Sequence, residues 1–351
     1  MPDASDPDGE TYLAVVVKRE EGEPRRKELY ELGLQDPSRK IVDKGQFIEI
    51  PVIGIPKTLQ DKYPPTVQER PEFRAEDKEP YERIVAKAKV DKDLKHLIPR
   101  KWELIGHVVL LKLPKALLPA KQEVAMAFMD EFKATAVLQD LGIEGELREP
   151  KVEVLLSRGS TETIHTENKV KFMLDPAKIM FSSGNMDERI RMATIAKDGE
   201  TVVDMFAGIG YFSLPMAVHS RPAKVIACEK NPLAFRYLEK NIELNNAAGR
   251  VQALLGDNRD APEKLADRVV MGYLPSPREF LPKAIKILKR NKDCVIHYHE
   301  NAPENEIPWA LYSRVAGAAG EAGRGAKLLG HKWIKSYKPH VWHAVVDVKI
   351  M

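Results

Sequence analysis

The sequence has only two cysteines in 351 residues, and no apolar run approaches the roughly 20 residues that cross a bilayer. Cys228 and Cys294 each sit inside an apolar stretch, as reduced core residues do, so a disulfide scaffold is excluded. The first ten residues, MPDASDPDGE, are acidic and polar, the opposite of a secretory signal. No membrane association is expected, and the expected location is cytoplasmic. No repeat or low-complexity tract appears, and no metal site is expected. The phosphate-binding pattern G-x-x-x-x-G-K-[ST] is missing. What is present, 43% hydrophobic and 30% charged residues, describes a soluble globular protein long enough for two or three domains of about 150 residues or fewer. The net charge of +3 conceals a split: residues 1–180 carry 30 basic against 33 acidic side chains, and residues 181–351 carry 25 against 19. The two halves therefore differ in kind.

Apolar runs at 13–17 and 47–52 flank helical spacing at 25–32, which ends at Gly33 and reads as a small β-α-β-type module within residues 1–60. Residues 61–100 read as a linker, since Pro64-Pro65 breaks any helix there, with a short amphipathic helix over 81–90. Residues 101–180 read as a middle α+β domain. It has a strand at 105–112, a helix at 121–132 and strands at 152–156, 162–167 and 169–174, the last two joined by a turn at Asn168. From 181 to 351 the rhythm becomes strand alternating with helix. A helix at 187–196 capped by Asn185 leads in. Strands follow at 201–205, 224–228, 251–255, 268–271 and 294–298, with helices at 211–218, 232–245, 278–290 and 309–319 among them. Two closing strands, 332–337 and 342–350, are expected to form an antiparallel edge hairpin on a doubly wound α/β sheet.

The sharpest motif is Asp204-Met205-Phe206-Ala207-Gly208-Ile209-Gly210, where a buried strand runs into a glycine turn and then a helix. Gly208 and Gly210 allow close approach of backbone to a ligand. Nineteen residues after Gly210, Glu229 ends the next strand, where a carboxylate accepts from both ribose hydroxyls. Asp257-Asn258 follows the third strand, offering a carboxylate and an amide to an adenine edge. Ser213 stands where a dinucleotide fingerprint has its third glycine, which argues against a nicotinamide enzyme. The motif resembles the cofactor turn of class I transferases that use S-adenosylmethionine (AdoMet). A cationic sulfonium suits an acid-lined pocket better than a phosphate cradle.

Beyond that turn, the stretch 181–351 resembles the tRNA guanine-37 modification group. The likeness rests on Phe181-Ser182, Glu188-Arg189, Arg191-Met192-Ala193, Glu229-Lys230, Glu239-Lys240-Asn241-Ile242, Asp257-Asn258-Arg259-Asp260, Asp267-Arg268, His297-Tyr298-His299 and Val341-Trp342-His343. One branch of the group holds N1-methyltransferases of guanosine 37. The other holds the wybutosine-synthesising aminocarboxypropyltransferases of archaea and eukaryotes. The methyltransferases carry Asn-Leu-Pro after the fourth strand to hold the target guanine, whereas this sequence reads Gly272-Tyr273-Leu274-Pro275 and looks like the second branch. The resemblance implies a Rossmann-type AdoMet domain preceded by smaller α+β domains. The activity it implies is transfer of the 3-amino-3-carboxypropyl group to C7 of 4-demethylwyosine in the anticodon loop of phenylalanine tRNA. It also implies that Ser182 and Arg189 contact AdoMet; Asp204, Phe206 and Gly272 complete the expected cofactor site. Residues 11–53 resemble the N-terminal domain with which the methyltransferase branch grips the tRNA elbow.

His297 and His299, flanking Tyr298 at a strand end, are the candidates for taking up the proton released by the acceptor. Arg191, Arg259, Arg278, Lys289, Arg290 and Lys335 are the candidate RNA contacts, with Trp333 and Tyr337 interleaved among lysines as stacking partners. A monomer is expected. Two rival readings remain: an N1-methyltransferase of guanosine 37, and a non-catalytic RNA-binding protein on a nucleotide-binding fold.

Overall fold

In the computed structural model, residues 11–74, 79–145, 148–290 and 292–351 are described. The acidic first ten residues lie outside them. The chain forms two compact units, Met1–Arg83 and Ile84–Met351. Among the described residues no helix is long and apolar enough to cross a membrane, and no three metal-ligating side chains converge. Both cysteines are free and buried.

The first unit contains β1 (Leu13–Lys18), α1 (Gly22–Glu31), β2 (Val42–Lys44), β3 (Phe47–Pro51) and β4 (Pro65–Val67). The sheet order is β2-β3-β1-β4, and β1 runs antiparallel to both β3 and β4. This corrects the β-α-β-type reading: the chain makes the extra hairpin β2–β3, turning at Gly45 (φ +81°), and so returns in the opposite sense. Val15, Leu29, Ile50, Val52 and Tyr63 form its core. The segment read as a linker carries β4 and helix α2 (Pro80–Lys87), within which the division between the units falls.

The second unit begins with β5 (Trp102–Ile105), β6 (Val108–Leu111), α3 (Lys121–Phe132), β7 (Ala136–Glu144) and β8 (Glu149–Ser157), in sheet order β5-β6-β7-β8. The single strand expected over 105–112 is a hairpin. Gly106 turns it at φ +56°, with Thr163 packed where a Cβ would stand. A second hairpin pairs β9 (Thr163–Glu167) with β10 (Val170–Leu174) across Asn168 and Lys169, both at positive φ.

A seven-stranded sheet follows. It comprises α4 (Met186–Met192), β11 (Thr201–Asp204), α5 (Ser213–His219), β12 (Lys224–Glu229), α6 (Pro232–Leu244), β13 (Val251–Leu255), β14 (Arg268–Met271), α7 (Leu281–Ile287), β15 (Cys294–Pro303), α8 (Trp309–Glu321), β16 (Ala326–Lys338) and β17 (Val341–Ile350). Its order is β13-β12-β11-β14-β15-β17-β16. The first five strands are parallel, and β17 runs antiparallel to both β15 and β16, giving the expected edge hairpin. Asn231 caps α6 by accepting from Leu233 N (2.9 Å), with Pro232 in the first turn.

The hairpin β9–β10 shares a core with the seven-stranded sheet: Val170, Phe172 and Leu174 pack with Val202, Leu214 and Leu238. Amide side chains of α6 join its edge. Asn241 accepts from Met173 N (2.6 Å) and donates to Met173 O (3.1 Å), while Asn245 accepts from Lys171 N (2.9 Å). At the opposite side of the sheet, β14 stops pairing at Met271 opposite Tyr298, whereas β15 and β17 continue together to Pro303 opposite Val341. A two-stranded ribbon therefore extends past the carboxyl ends of the parallel strands.

Candidate functional site

A cavity of about 200 Å³ opens at the carboxyl ends of β11 to β14, where a doubly wound sheet binds its ligands. Its floor is the turn that leaves β11. Gly208 has φ +57° and Gly210 φ +101°; a Cβ would meet the Tyr211 ring at 2.5 Å in the first case and Leu214 at 2.5 Å in the second. Only glycine fits both positions. Asp204 is fully buried behind this turn and does not line the cavity. Its carboxylate accepts from Ser213 Oγ (2.7 Å) and Phe206 N (3.3 Å), and burial pushes its pKa up to about 6. Asp204 and Gly210 are thus braces for the turn, which corrects the expectation that they touch the ligand.

Glu229 lines the cavity from the end of β12. Its two oxygens accept from Gly208 N and Asn231 N, both at 2.7 Å. Burial raises its pKa, opposed by backbone donors of Asn231, Gly208 and Lys230. Each oxygen retains a lone pair for a ligand. Asp257 and Asn258 stand beside it after β13. The Arg259 guanidinium grips Asp257 at 2.8 and 2.6 Å and holds its pKa down to about 2. Asn258 is buried, and its Oδ1 has no partner among the described residues. On the opposite wall, Phe206 stacks on Tyr273 (centroids 5.1 Å, 22°) and meets Phe280 edge-on. Gly272 lies against Phe212, whose ring a Cβ would approach to 2.7 Å.

Ser182 and Arg189 border the cavity, and Lys335 stands against Ser182. Lys335 Nζ donates to Ser182 Oγ (2.6 Å), and burial lowers its pKa. Arg189 is 4% exposed; its fork clasps Glu167 at 2.7 and 2.9 Å, and a third donor reaches Ser182 O (2.9 Å). Its guanidinium is committed to joining α4 to β9, even though it borders the cavity.

Both candidate histidines are enclosed behind the cavity rather than in it, which corrects their reading as catalytic. His297 is held between Asp347 (Nδ1–Oδ1 2.5 Å) and Arg268 (2.6 Å from Nε2). His299 stacks on Phe212 and sets its Nδ1 3.2 Å from His343 Nε2. Burial lowers the pKa of each, that of His299 strongly. The RNA candidates divide likewise. Arg191 is spent on Glu188 and Asp347, with short contacts of 2.6 and 2.7 Å, so it is a structural cation. Lys289 is bound to Asp267 (2.8 Å), and Arg259 to Asp257. Arg278 and Arg290 are exposed.

Asn185 and Arg148 are among the lining residues that the sequence reading did not assign to the site. Asn185 stands at the N-cap of α4 but its side chain makes no cap bond; its Oδ1 is buried and, among the described residues, unpartnered on the cavity wall. A residue in cap position gives no local sign that its side chain turns elsewhere. Arg148 reaches the cavity from the connection between β7 and β8, donating to Leu274 O (3.0 Å). Nothing in its neighbourhood marks it, since its partner is 126 residues away.

Three family models match the chain: the TRM5/TYW2 methyltransferase domain over residues 163–324, the TYW2 N-terminal domain over 81–161, and the tRNA methyltransferase 5 N-terminal domain over 14–60. The tRNA(Phe) (4-demethylwyosine(37)-C(7)) aminocarboxypropyltransferase of Pyrococcus horikoshii is 42% identical over 279 residues, 79% of this chain and 99% of that protein. The tRNA (guanine(37)-N(1))-methyltransferase Trm5b of Pyrococcus abyssi is 34% identical over 341 residues, 96% of this chain and 99% of that one. The crystal structure of P. horikoshii TYW2 in complex with MeSAdo superposes with a TM-score of 0.69 at 40% identity, covering 77% of this chain and 99% of that chain.

Proposed function

The chain belongs to the family defined by the TRM5/TYW2 methyltransferase domain, and from that premise we infer that it transfers the 3-amino-3-carboxypropyl group of AdoMet to C7 of 4-demethylwyosine at position 37 of phenylalanine tRNA. The observation that carries this reading is the 42% identity to an aminocarboxypropyltransferase over nearly all of that enzyme's length. Gly272 supports it. The methyl-transferring branch has Asn after the fourth strand, and here a side chain would press on the Phe212 ring, which a Cβ would approach to 2.7 Å.

The residues present fit AdoMet. Glu229 would hold the ribose hydroxyls on its remaining lone pairs. Asn258, with an orphaned buried amide oxygen, would meet the adenine edge beside Asp257. Gly208 lets the backbone approach closely, and Phe206, Tyr273 and Phe280 keep water from that wall. Ser182 and Asn185 would face the amino-acid arm. When bound, AdoMet supplies a carbon activated by its sulfonium. The chain's own task is orientation, since which sulfonium carbon faces the acceptor decides which group moves. The tRNA anticodon loop would lie over the basic second unit, with Arg278 and Arg290 as exposed phosphate contacts, and the first unit would grip the body of the tRNA. The chain acts as a monomer in this scheme.

The test is incubation with AdoMet and, in parallel, phenylalanine tRNA bearing 4-demethylwyosine or unmodified guanosine at position 37. Release of methylthioadenosine is the expected outcome; release of S-adenosylhomocysteine overturns it. The second outcome would favour methyl transfer to guanosine 37, a reading supported by the 34% identity to Trm5b over 96% of the chain and by the N-terminal match at residues 14–60.

A further inference from the structure

Three side chains on the last strands of the seven-stranded sheet, Asn301, His343 and Lys335, are not among those that line the cavity. Asn301 on β15 pairs with His343 on β17, and His343 pairs in turn with Lys335 on β16. Directly opposed residues of antiparallel strands share a face, so the three form one row across the sheet. The row begins at the cavity. Lys335 is bonded to Ser182 on its wall, and Asn301 N donates to Pro275 O (2.9 Å), next to the cavity residue Leu274.

His343 is 2% exposed. Its Nε2 faces His299, while its Nδ1 is buried and has no partner among the described residues; Asn301 Oδ1 is in the same state. The tautomers follow from the far end of the chain of contacts. His299 Nε2 makes no hydrogen bond among the described residues but lies 3.7 Å from the buried Glu188 carboxylate; a lone pair facing that carboxylate would be repelled, so we assign the hydrogen to this nitrogen and the acceptor role to His299 Nδ1. His343 Nε2 then donates to His299, which leaves a bare lone pair on His343 Nδ1. Two unsatisfied acceptors therefore sit on paired residues, and buried polar atoms in this condition call for a ligand. The complementary ligand is a flat edge carrying N–H donors. The adjacent cations Lys335 and Arg148 suit an electron-rich ring attached to a phosphate backbone.

We propose that Asn301 and His343 form the acceptor-base subsite, taking N–H donors from the edge of a nitrogen heterocycle unstacked from the tRNA loop. Bases splayed out of a single-stranded loop are read on their edges in this way. The proposal rests on the transfer reading above, because it assigns the base that the transferred group reaches.

Two substitutions at one position separate ligand reading from support of His299. His343→Asn keeps a polar atom near the Nδ1 position and loses the reach to His299. His343→Gln keeps that reach and loses the Nδ1 atom. The full chain is assayed with AdoMet and tRNA bearing 4-demethylwyosine, with AdoMet affinity measured by calorimetry and folding by melting temperature. The expected result is a KM for tRNA at least tenfold higher in His343→Gln and Asn301→Ala, within threefold of wild type in His343→Asn, and AdoMet affinity unchanged in all three. A wild-type KM in Asn301→Ala, or a wild-type KM in His343→Gln together with a raised one in His343→Asn, overturns the proposal. If the wild-type chain releases S-adenosylhomocysteine, the transfer reading fails instead, and the same KM series on tRNA with guanosine 37 tests the subsite by itself.

Discussion

At Gly208 the backbone is left-handed, and an added methyl would press on the Tyr211 ring at 2.5 Å, so strain and overlap act together. Gly208→Ala is expected to cost at least about 1–2 kcal/mol of stability, seen in urea unfolding, and to abolish AdoMet binding. Glu229→Gln removes the charge that Gly208 N and Asn231 N converge on. AdoMet affinity should fall by about 1.5–3 kcal/mol, the range for hydrogen bonds to a charged group. Unchanged affinity by calorimetry would remove Glu229 from the ribose site. His343 makes a pH prediction. Burial, with Lys335 and Arg148 nearby, lowers its pKa to about 3, against about 6.5 in an unfolded chain. Between those values the unfolded chain binds a proton that the folded chain refuses. This contribution is therefore complete above about pH 6.5 and is lost as pH falls toward 3. Between pH 7 and pH 5 the loss is about 2 kcal/mol. The stability advantage of wild type over His343→Gln should shrink by that amount over the same interval. Tryptophan fluorescence reports it, since all four tryptophans lie in the second unit. A constant difference would show that the ring does not titrate as described.

At the scale of elements, the clasp of Arg189 on Glu167 joins α4 to the β9–β10 hairpin with both side chains buried. Removing one partner leaves a charge without compensation. Arg189→Ala should cost about 3–5 kcal/mol, while Arg26→Ala, which breaks an exposed pair with Glu23 on α1, should change the melting temperature little. The contrast also shows what could be read from the sequence. The three strand-end motifs at Gly208, Glu229 and Asp257-Asn258 meet in one cavity as read, because each depends on local spacing after a strand. Helix 121–132 and strands 251–255 and 268–271 have the limits that their patterns set. Helix 278–290 was too long. A 3-10 turn opens it, Pro282 fits only the first turn of the shorter α7, and the helix ends at Ile287. The direction of side chains was not legible. His297 looks like a free base until Asp347, fifty residues away, is brought beside it, and Arg191 looks like a phosphate contact until the same Asp347 claims it.

Across the whole molecule, the basic residues 181–351 are those that carry the cofactor motifs. The second unit has its own cores and its own cavity. A P. horikoshii relative also aligns over 99% of its length with only 79% of this chain. Deletion of residues 1–83 is therefore expected to leave AdoMet affinity within about twofold of wild type while weakening tRNA binding at least tenfold, measured by calorimetry and filter binding. Equal tRNA affinity in the truncated chain would take the first unit out of substrate recognition. The ribbon of β15 and β17 that outruns β14 has a mechanical meaning. Its five residues past Tyr298 project about 16 Å at strand spacing, and the ladder satisfies their backbone groups with no help from a ligand. The facing loop, 272–280, is held to this ribbon by Asn301 N on Pro275 O and by a 3.4 Å contact of Ser276 with Tyr298. One jaw of the site is thus a continuous ladder and the other a loop tied to it at two points, so a bulky base that parts the two has only those two contacts to break, while the ribbon keeps its register.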